Sequence, residues 1–265
     1  MRYTRDGLFG LQGRVVLVTG AAGQLGADMV DAVVAMGGRC VAADASLEVL
    51  KGTGERHGWP SADVELAGCD IRDREQILSV LRLGESSFGA VDCLVSNAGV
   101  SVFEPYLDRT EDSIDWVMDV NIKGTLLCIQ EFIRHRIAHG GGGAIVNIGS
   151  HYGVVSPDPR IYTDCARKNS EIYGASKAGV IQMTKYFAVH AAEHGIRTNA
   201  VSPGGVRNPD NPQGADFQKN YAWRCPMGRM AETREIVGAV VFLLSPAASY
   251  VNGQNVVVDG GTTCW

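Results

Sequence analysis

Arg14-Val-Val-Leu-Val-Thr19-Gly20-Ala-Ala-Gly23-Gln24-Leu25-Gly26 is the stretch on which the fold turns. Its first half is a continuous apolar run with no polar alternation, the pattern of a strand buried on both faces. Gly20, Gly23 and Gly26 then allow a tight turn and a close approach of the backbone to a ligand. Gln24–Met36 follows with helical apolar spacing. The free N–H groups and positive dipole end of that helix would point at the turn, where a pyrophosphate fits. Gly20, Gly23, Gln24, Leu25 and Gly26 are therefore candidate cofactor-binding residues. A glycine-rich turn without a ligand is the plain alternative, but its place in the first βα unit favours a dinucleotide.

Outward from this turn, short Val/Ile-rich runs alternate with longer helical stretches. Strands are expected at Arg14–Thr19, Arg39–Ala43, Val64–Gly68, Val91–Val95, Ala144–Ile148, Ile196–Val201 and Asn255–Val258. Helices are expected at Gln24–Met36, Asp73–Leu81, Glu111–Ala138, Tyr173–His194 and Thr233–Leu244. The alternation predicts one α/β domain over residues 1–265, a Rossmann-like doubly wound parallel sheet of about seven strands with helices on both faces. Two polar, proline-bearing segments interrupt it, Ser156–Glu171 and Asn208–Arg229. Long irregular segments in a compact domain are usually functional or mobile. The first reads as an insert, the second as a substrate loop near 205–230.

Composition limits what such a domain does. The 265 residues are 45% hydrophobic and 20% charged, with a net charge of -5. Neither a basic excess nor a basic stripe points to nucleic acid. The densest apolar run, Val237–Leu244, is too short to span a bilayer, and the polar start Met1-Arg-Tyr-Thr-Arg-Asp lacks a signal-peptide core. A cytoplasmic protein without a membrane partner is expected. The 7 cysteines include no Cys-x-x-Cys and sit mostly in apolar runs, as reduced thiols packed like small hydrophobes. No metal ligands are assigned.

Two further features carry chemistry. Asp44 ends the second strand about 20 residues beyond the turn, where a carboxylate accepts from the ribose hydroxyls of a dinucleotide. It would repel a 2′-phosphate, and no Arg or Lys lies within residues 19–26 to attract one. NAD is expected in preference to NADP. Tyr173-Gly-Ala-Ser-Lys177 places a phenol and an ammonium on one helix face. The ammonium would lower the phenol pKa toward working pH, making Tyr173 a proton donor or acceptor at a hydroxyl or carbonyl oxygen.

Over nearly its whole length the chain resembles the classical short-chain dehydrogenase/reductase family. The motifs occur in the family's order: Thr19–Gly26; Cys69-Asp70; Ser96-Asn-Ala-Gly99; Asn121 in Val120-Asn-Ile-Lys-Gly; Ser150; Tyr173 and Lys177; Ser202-Pro-Gly204; and Val258-Asp-Gly-Gly261. The resemblance implies that Tyr173 is the general acid/base and that Ser150 orients the reacting oxygen. It implies that Lys177 bonds the nicotinamide ribose and tunes Tyr173, and that Asn121 holds a water in a proton relay. It also implies cofactor contacts from Asp70, Ile71, Asn97, Ala98, Gly99, Pro203, Gly204 and Val206, and a homotetramer or homodimer.

The chain departs from the family pattern in three places. Gln24 stands where the turn usually has its middle glycine, and Gly23 comes one residue early. This spacing is nearer to the extended branch of epimerases and dehydratases. The Ser150–Tyr173 interval is about ten residues longer than usual and carries Arg160, Tyr162, Arg167 and Lys168. Those cations are expected either to meet a substrate carboxylate or phosphate, or to sit on a solvated surface. With Gly153-Val-Val and Gly205, the long interval is similar to dehydrogenases of bacterial surface-sugar clusters. Third, Arg207 or Asn208 takes the place of a cofactor-contacting threonine. His151, Tyr221 and Trp223 complete the substrate candidates; His151 reads as a second acid/base, a substrate contact or a structural residue.

The leading expectation is an NAD-dependent oxidoreductase acting on a secondary alcohol or ketone, polar and sugar-like. An epimerase or dehydratase with tightly held NAD is the second reading. A binding protein that has lost its chemistry is the third, disfavoured by the presence of both Tyr173 and Lys177.

Overall fold

The computed structural model describes residues 4–163, 168–210 and 212–265. In chain order its elements are α1 (Arg5–Phe9), β1 (Val15–Thr19), α2 (Gln24–Ala35), β2 (Arg39–Asp44), α3 (Leu47–His57), β3 (Val64–Gly68), α4 (Arg74–Phe88), β4 (Cys93–Ser96), α5 (Glu111–Met118), α6 (Thr125–Ala138), β5 (Gly143–Ile148), α7 (Glu171–His190), β6 (Ile196–Pro203), α8 (Ala215–Arg224), α9 (Thr233–Leu244) and β7 (Asn255–Val258). The strands form one sheet in the order β3-β2-β1-β4-β5-β6-β7. Every pairing is parallel. The expected seven-stranded doubly wound sheet is what the chain forms.

Two apolar layers explain why the strands read as unbroken runs. Val16 and Val18 of β1 pack with Met29, Val30 and Val33 of α2 and with Ile236, Val240 and Leu243 of α9. Val15 and Leu17 face the other way, onto Ile77, Val80 and Leu81 of α4 and onto Cys128, Ile129 and Phe132 of α6. Both faces of β1 are thus excluded from water, and burying each Val or Leu contributes about 1.5–3 kcal/mol. The sheet order reverses between β1 and β4, which opens a crevice at the carboxyl ends of those strands.

Four local outcomes differ from the sequence reading. The expected helix 111–138 is broken by a π-helical segment, Asp119–Gly124, between α5 and α6. The wider turn lets the chain pass over Ile71, whose Cδ1 would lie 2.6 Å from a Cβ on Gly124. It also turns Asn121 inward, the kind of position π-bulges often serve. Helix α3 arises after β2 although Gly52 and Gly54 weaken its helical signal. Its start is capped by Ser46, and Gly58 ends it in the left-handed region. The segment expected as an irregular substrate loop contains α8, which buries Phe217 and Tyr221, four residues apart. Finally, α7 begins at Glu171, where Ser170 caps the N–H of Tyr173, and ends at His190, short of His194.

Among the described cysteines all but the exposed Cys264 are packed as small hydrophobes. Cys40, Cys69, Cys93, Cys128 and Cys225 are buried and free. Burial pushes the Cys93 thiol up to about 11 and the Cys69 thiol up to about 12. Such thiols are packing groups rather than nucleophiles.

Candidate active site

The carboxyl ends of β1, β4, β5 and β6 deliver Thr19, Ser96, Ile148 and Pro203 to one rim of the sheet. A cleft of about 520 Å³ lies along this rim. Its first part is the glycine turn. Gly20 has φ 65, and a Cβ there would lie 2.8 Å from the Cα of Ala98. Asn97 pins the turn, its Nδ2 donating to the carbonyls of Thr19 and Gly20 at 3.0 Å. The Thr19 hydroxyl accepts the N–H groups of Asn97 and Ala98 at 3.1 and 3.2 Å.

Gly23 caps α2 without a side-chain bond, so the first turn of the helix keeps its N–H groups directed at the cleft. Gly20, Gly23, Gln24, Leu25, Gly26 and Asp44 all line it. The Asp44 carboxylate accepts from the N–H groups of Ala22 at 3.0 Å and Ser46 at 3.2 Å, one on each oxygen, leaving lone pairs on both. An uncapped helix start, a glycine cradle and a carboxylate one strand away fit a nicotinamide dinucleotide. Gln24, the departure from the family turn, donates from Nε2 to the carbonyl of Arg207 at 2.5 Å. It ties the start of α2 to the chain leaving β6.

Asn97, Ala98, Gly99, Pro203, Gly204 and Val206 also line the cleft. Asp70 and Ile71 do not. Arg72 holds the Asp70 carboxylate through Nε and Nη2, and Ile71 is buried under the π segment. Arg207 is held by Glu232.

Ser150, Tyr173 and Lys177 line the same cleft. Lys177 is 5% exposed and donates to the carbonyl of Ile148 at 2.8 Å. Its ammonium lies 5.7 Å from the centroid of the Tyr173 ring. Burial pulls the Lys177 pKa down to about 8. The shift of Tyr173 is opposite to the one expected from an adjacent ammonium. Burial pushes the phenol up, and the Ser150 hydroxyl draws it back in part. Desolvation outweighs that hydrogen bond here.

Asn121 accepts the N–H of Val100 at 2.8 Å on Oδ1, and its Nδ2 donates to the Val100 carbonyl and to Ser176 Oγ. A Cβ on Gly99 would lie 3.2 Å from Lys177 Nζ and 3.3 Å from Asn121 Oδ1. Both side chains therefore border the same small space.

Ser150 and Tyr173 also border a second cavity, about 210 Å³, whose lining contains no residue of the glycine turn. His151, Tyr162 and Tyr221 line it. So do residues that sequence reasoning missed: Phe103, Tyr152, Asn169, Gln213, Phe217 and Met230. Only their tertiary placement identifies them. Tyr221 is 3% exposed and its hydroxyl accepts the Gly205 N–H at 2.6 Å. Tyr152 and Tyr162 share a hydrogen bond at 3.0 Å.

Trp223 is exposed and lies outside this cavity, because α8 turns Phe217 and Tyr221 inward and residue 223 away. Arg160 is also outside it, exposed and paired with Asp158. Arg167 falls outside the described residues. Lys168 is exposed and absent from the lining. Arg109, with a side chain 3% exposed, bridges Glu104 and Glu171 and so clamps the Phe103 loop to the start of α7.

Burial pushes the His151 imidazole down to about 4, so it is neutral near pH 7 and unsuited to a second acid/base role there. The same shift predicts a pH effect on stability. Between about pH 6.5 and 4 the unfolded chain takes up a proton that the folded chain refuses. The stabilisation is complete above that window and is lost as pH falls through it, by up to ~3 kcal/mol. The wild-type Tm is expected to fall more between pH 7 and 4 than that of His151→Phe. Parallel Tm profiles would contradict this.

A family model described as enoyl-(acyl carrier protein) reductase matches residues 20–263. The chain is 33% identical to the D-threitol dehydrogenase of Mycolicibacterium smegmatis over 96% of its length and 95% of that protein's. A short-chain dehydrogenase from Leptospira borgpetersenii, solved with bound NAD+, superposes with a TM-score of 0.84 at 36% identity, over 98% of this chain and 96% of that one. A gluconate 5-dehydrogenase from Burkholderia cenocepacia, solved with NADP and tartrate, gives 0.86 at 30% identity, over 99% and 100%.

Proposed function

The chain belongs to the short-chain dehydrogenase/reductase family, and on that premise we propose that it is an NAD-dependent dehydrogenase of a secondary alcohol on a small, polar, sugar-like molecule. The observation that carries this reading is the shared wall. Ser150 and Tyr173 border both the dinucleotide cleft and the small cavity. A carbinol placed in the cavity would reach them from a space that the glycine turn does not line.

Bound in the cleft, NAD supplies the hydride acceptor; the protein supplies position and charge. Tyr173 exchanges the hydroxyl proton with the substrate oxygen, and Ser150 orients that oxygen by hydrogen bonding. Lys177 keeps a positive charge beside the phenol. Asn121 completes the path for the proton from Lys177 toward solvent, a role supported by the space both side chains border at Gly99. Names such as D-threitol dehydrogenase among the relatives support a polyol-like substrate. Net formation of NADH from such alcohols tests the reading. Product isomerised or dehydrated without net NADH would favour an epimerase or dehydratase instead.

NAD is favoured over NADP because Asp44 lines the cleft while Arg and Lys other than Lys177 are absent from its described lining. Asp44→Asn is expected to weaken NAD binding about 10-fold or more, the cost of a charge-assisted hydrogen bond, while NADP binding improves. Fluorescence titration with each cofactor measures both, and unchanged affinities would count against the assignment.

The assembly in this reading is a cytoplasmic homotetramer, or a homodimer. Trp116, Met118, Tyr186 and Val189 expose apolar surface on α5 and α7 that a second copy would cover. Among the described residues no helix is long and apolar enough to cross a membrane.

A further inference from the structure

We infer that His151 and Gln213 read a second hydroxyl of the substrate, so that the site takes a small uncharged diol or polyol rather than a monohydric alcohol or a sugar acid. The inference rests on the dehydrogenase reading above and concerns the cavity beside Ser150 and Tyr173.

Its first support is an accounting of polar atoms. Buried polar groups in folded proteins almost always have partners. Around this cavity most do: the Tyr152 and Tyr162 hydroxyls bond each other, and Tyr221 accepts from Gly205. His151 is the exception. It is 3% exposed, its Nδ1 is buried without a partner, and among the described residues no hydrogen bond forms from either ring nitrogen. The ring packs against Tyr152 in a tilted arrangement, with centroids 4.1 Å apart and planes at 46°, which restricts its rotation.

Gln213 is the second exception. Its Nε2 donates to the Val206 carbonyl at 3.4 Å, and its Oε1 is buried without a partner among the described residues. The amide orientation follows from that bond: nitrogen toward Val206, oxygen left to accept. A neutral imidazole offers one donor and one acceptor, and the amide oxygen offers an acceptor. A hydroxyl, which both donates and accepts, satisfies such a set. A carboxylate only accepts and would face the Gln213 oxygen unfavourably.

The second support is charge. All the described residues lining the cavity are uncharged. Arg160 is turned outward onto Asp158. An anionic substrate would enter without a counter-ion, at a desolvation cost that neutral hydroxyls avoid. The volume of about 210 Å³ suits a small ligand.

The reaction balances as an ordinary alcohol oxidation. The carbinol C–H gives its hydride to NAD+, the O–H gives its proton through Tyr173, and ketone, NADH and a proton result. The second hydroxyl is unchanged.

The test compares threitol, xylitol and sorbitol with cyclohexanol, a monohydric secondary alcohol, and with gluconate. At least one polyol is expected to exceed both comparators about 10-fold or more in kcat/KM. His151→Phe keeps the ring shape without its polar atoms, and Gln213→Leu does the same for the amide. Each is expected to lower polyol kcat/KM by about 10- to 100-fold, mainly through KM, with a clearly smaller loss on cyclohexanol. His151→Asn, which retains a donor and an acceptor, should recover part of the loss. Calorimetric titration of xylitol into the protein with NADH gives a readout independent of turnover, and both variants should bind it more weakly.

Equal losses on polyol and cyclohexanol, or a preference for gluconate, overturn the inference and leave the dehydrogenase reading standing. NADH formation from none of the alcohols overturns the dehydrogenase reading. The titration then decides the inference by itself, and equal xylitol binding in wild type and variants refutes it.

Discussion

A Tyr173→Phe protein is expected to lose about 10²- to 10⁴-fold in kcat for alcohol oxidation, the range of a positioned general acid/base. Its fold and its cofactor affinity should survive. The phenol oxygen interacts with Ser150, whereas α7 is held by the Ser170 cap and by the packing of Gly174, Val180 and Ala188. Loss of one hydrogen bond there costs about 1 kcal/mol. Stopped-flow NADH formation measures the kinetic loss, and NADH fluorescence enhancement with a thermal melt measures what is retained. Full activity in this variant would remove Tyr173 from the chemistry. A collapse of Tm together with activity would make its role structural.

Gly26→Ala carries the second large effect, for a steric reason. The new Cβ would lie 2.1 Å from the carbonyl oxygen of Gly20 and 2.8 Å from the Cα of Ala21, both backbone atoms. Neither can move like the end of a flexible side chain, so the turn must open. Overpacking of this kind costs on the order of 3 kcal/mol. Opening the turn also shifts the N–H groups of α2, and NAD affinity should drop more than about 10-fold, since well-placed donors each contribute to holding the anion. Gly23→Ala is the matched control. Its Cβ would meet Gly20 O at 3.4 Å, ordinary contact, and stability should hardly change. Equal Tm values for the two variants would show that the close approach at Gly26 does not matter.

Gly26 and the Tyr173–Lys177 pair are candidates by local spacing, and the family's order of motifs is what singles the pair out; the reason is physical. Glycine at a turn, an acid at a strand end and a Tyr/Lys pair four residues apart are local requirements. Spacing along the chain expresses them directly. The parallel sheet was legible in the same way, because strands covered on both faces must be apolar throughout. Asn121 needed more. By itself it reads as an ordinary helix residue, and only the family resemblance singles it out; the π segment that holds it near Val100 and Ser176 also brings Gly124 against Ile71, 53 positions away (124 − 71).

The substrate side was the least legible. Its lining comes from the Phe103 loop, the turn after Ser150, the insert at Tyr162 and helix α8. None of these has a spacing that ties it to the others. The cations of the insert are expected either to meet a substrate anion or to sit on a solvated surface; Arg160 takes the second course, turned outward to Asp158, and the described lining of the cavity is neutral. An arginine in a sequence shows its charge but not its partner. Trp223 and Tyr221 looked equivalent as aromatics of one loop. Helical phase separates them, burying Tyr221 against Gly205 and exposing Trp223.

The sequence by itself therefore determined the family, the sheet and the residues at which hydride and proton transfer are expected, since those are set by short-range pattern along single strands and helices. Only the tertiary structure decided what lines the cavity beside Ser150 and Tyr173. That environment is built by distant segments converging, and the buried, partnerless His151 Nδ1 and Gln213 Oε1 are visible only in the folded chain.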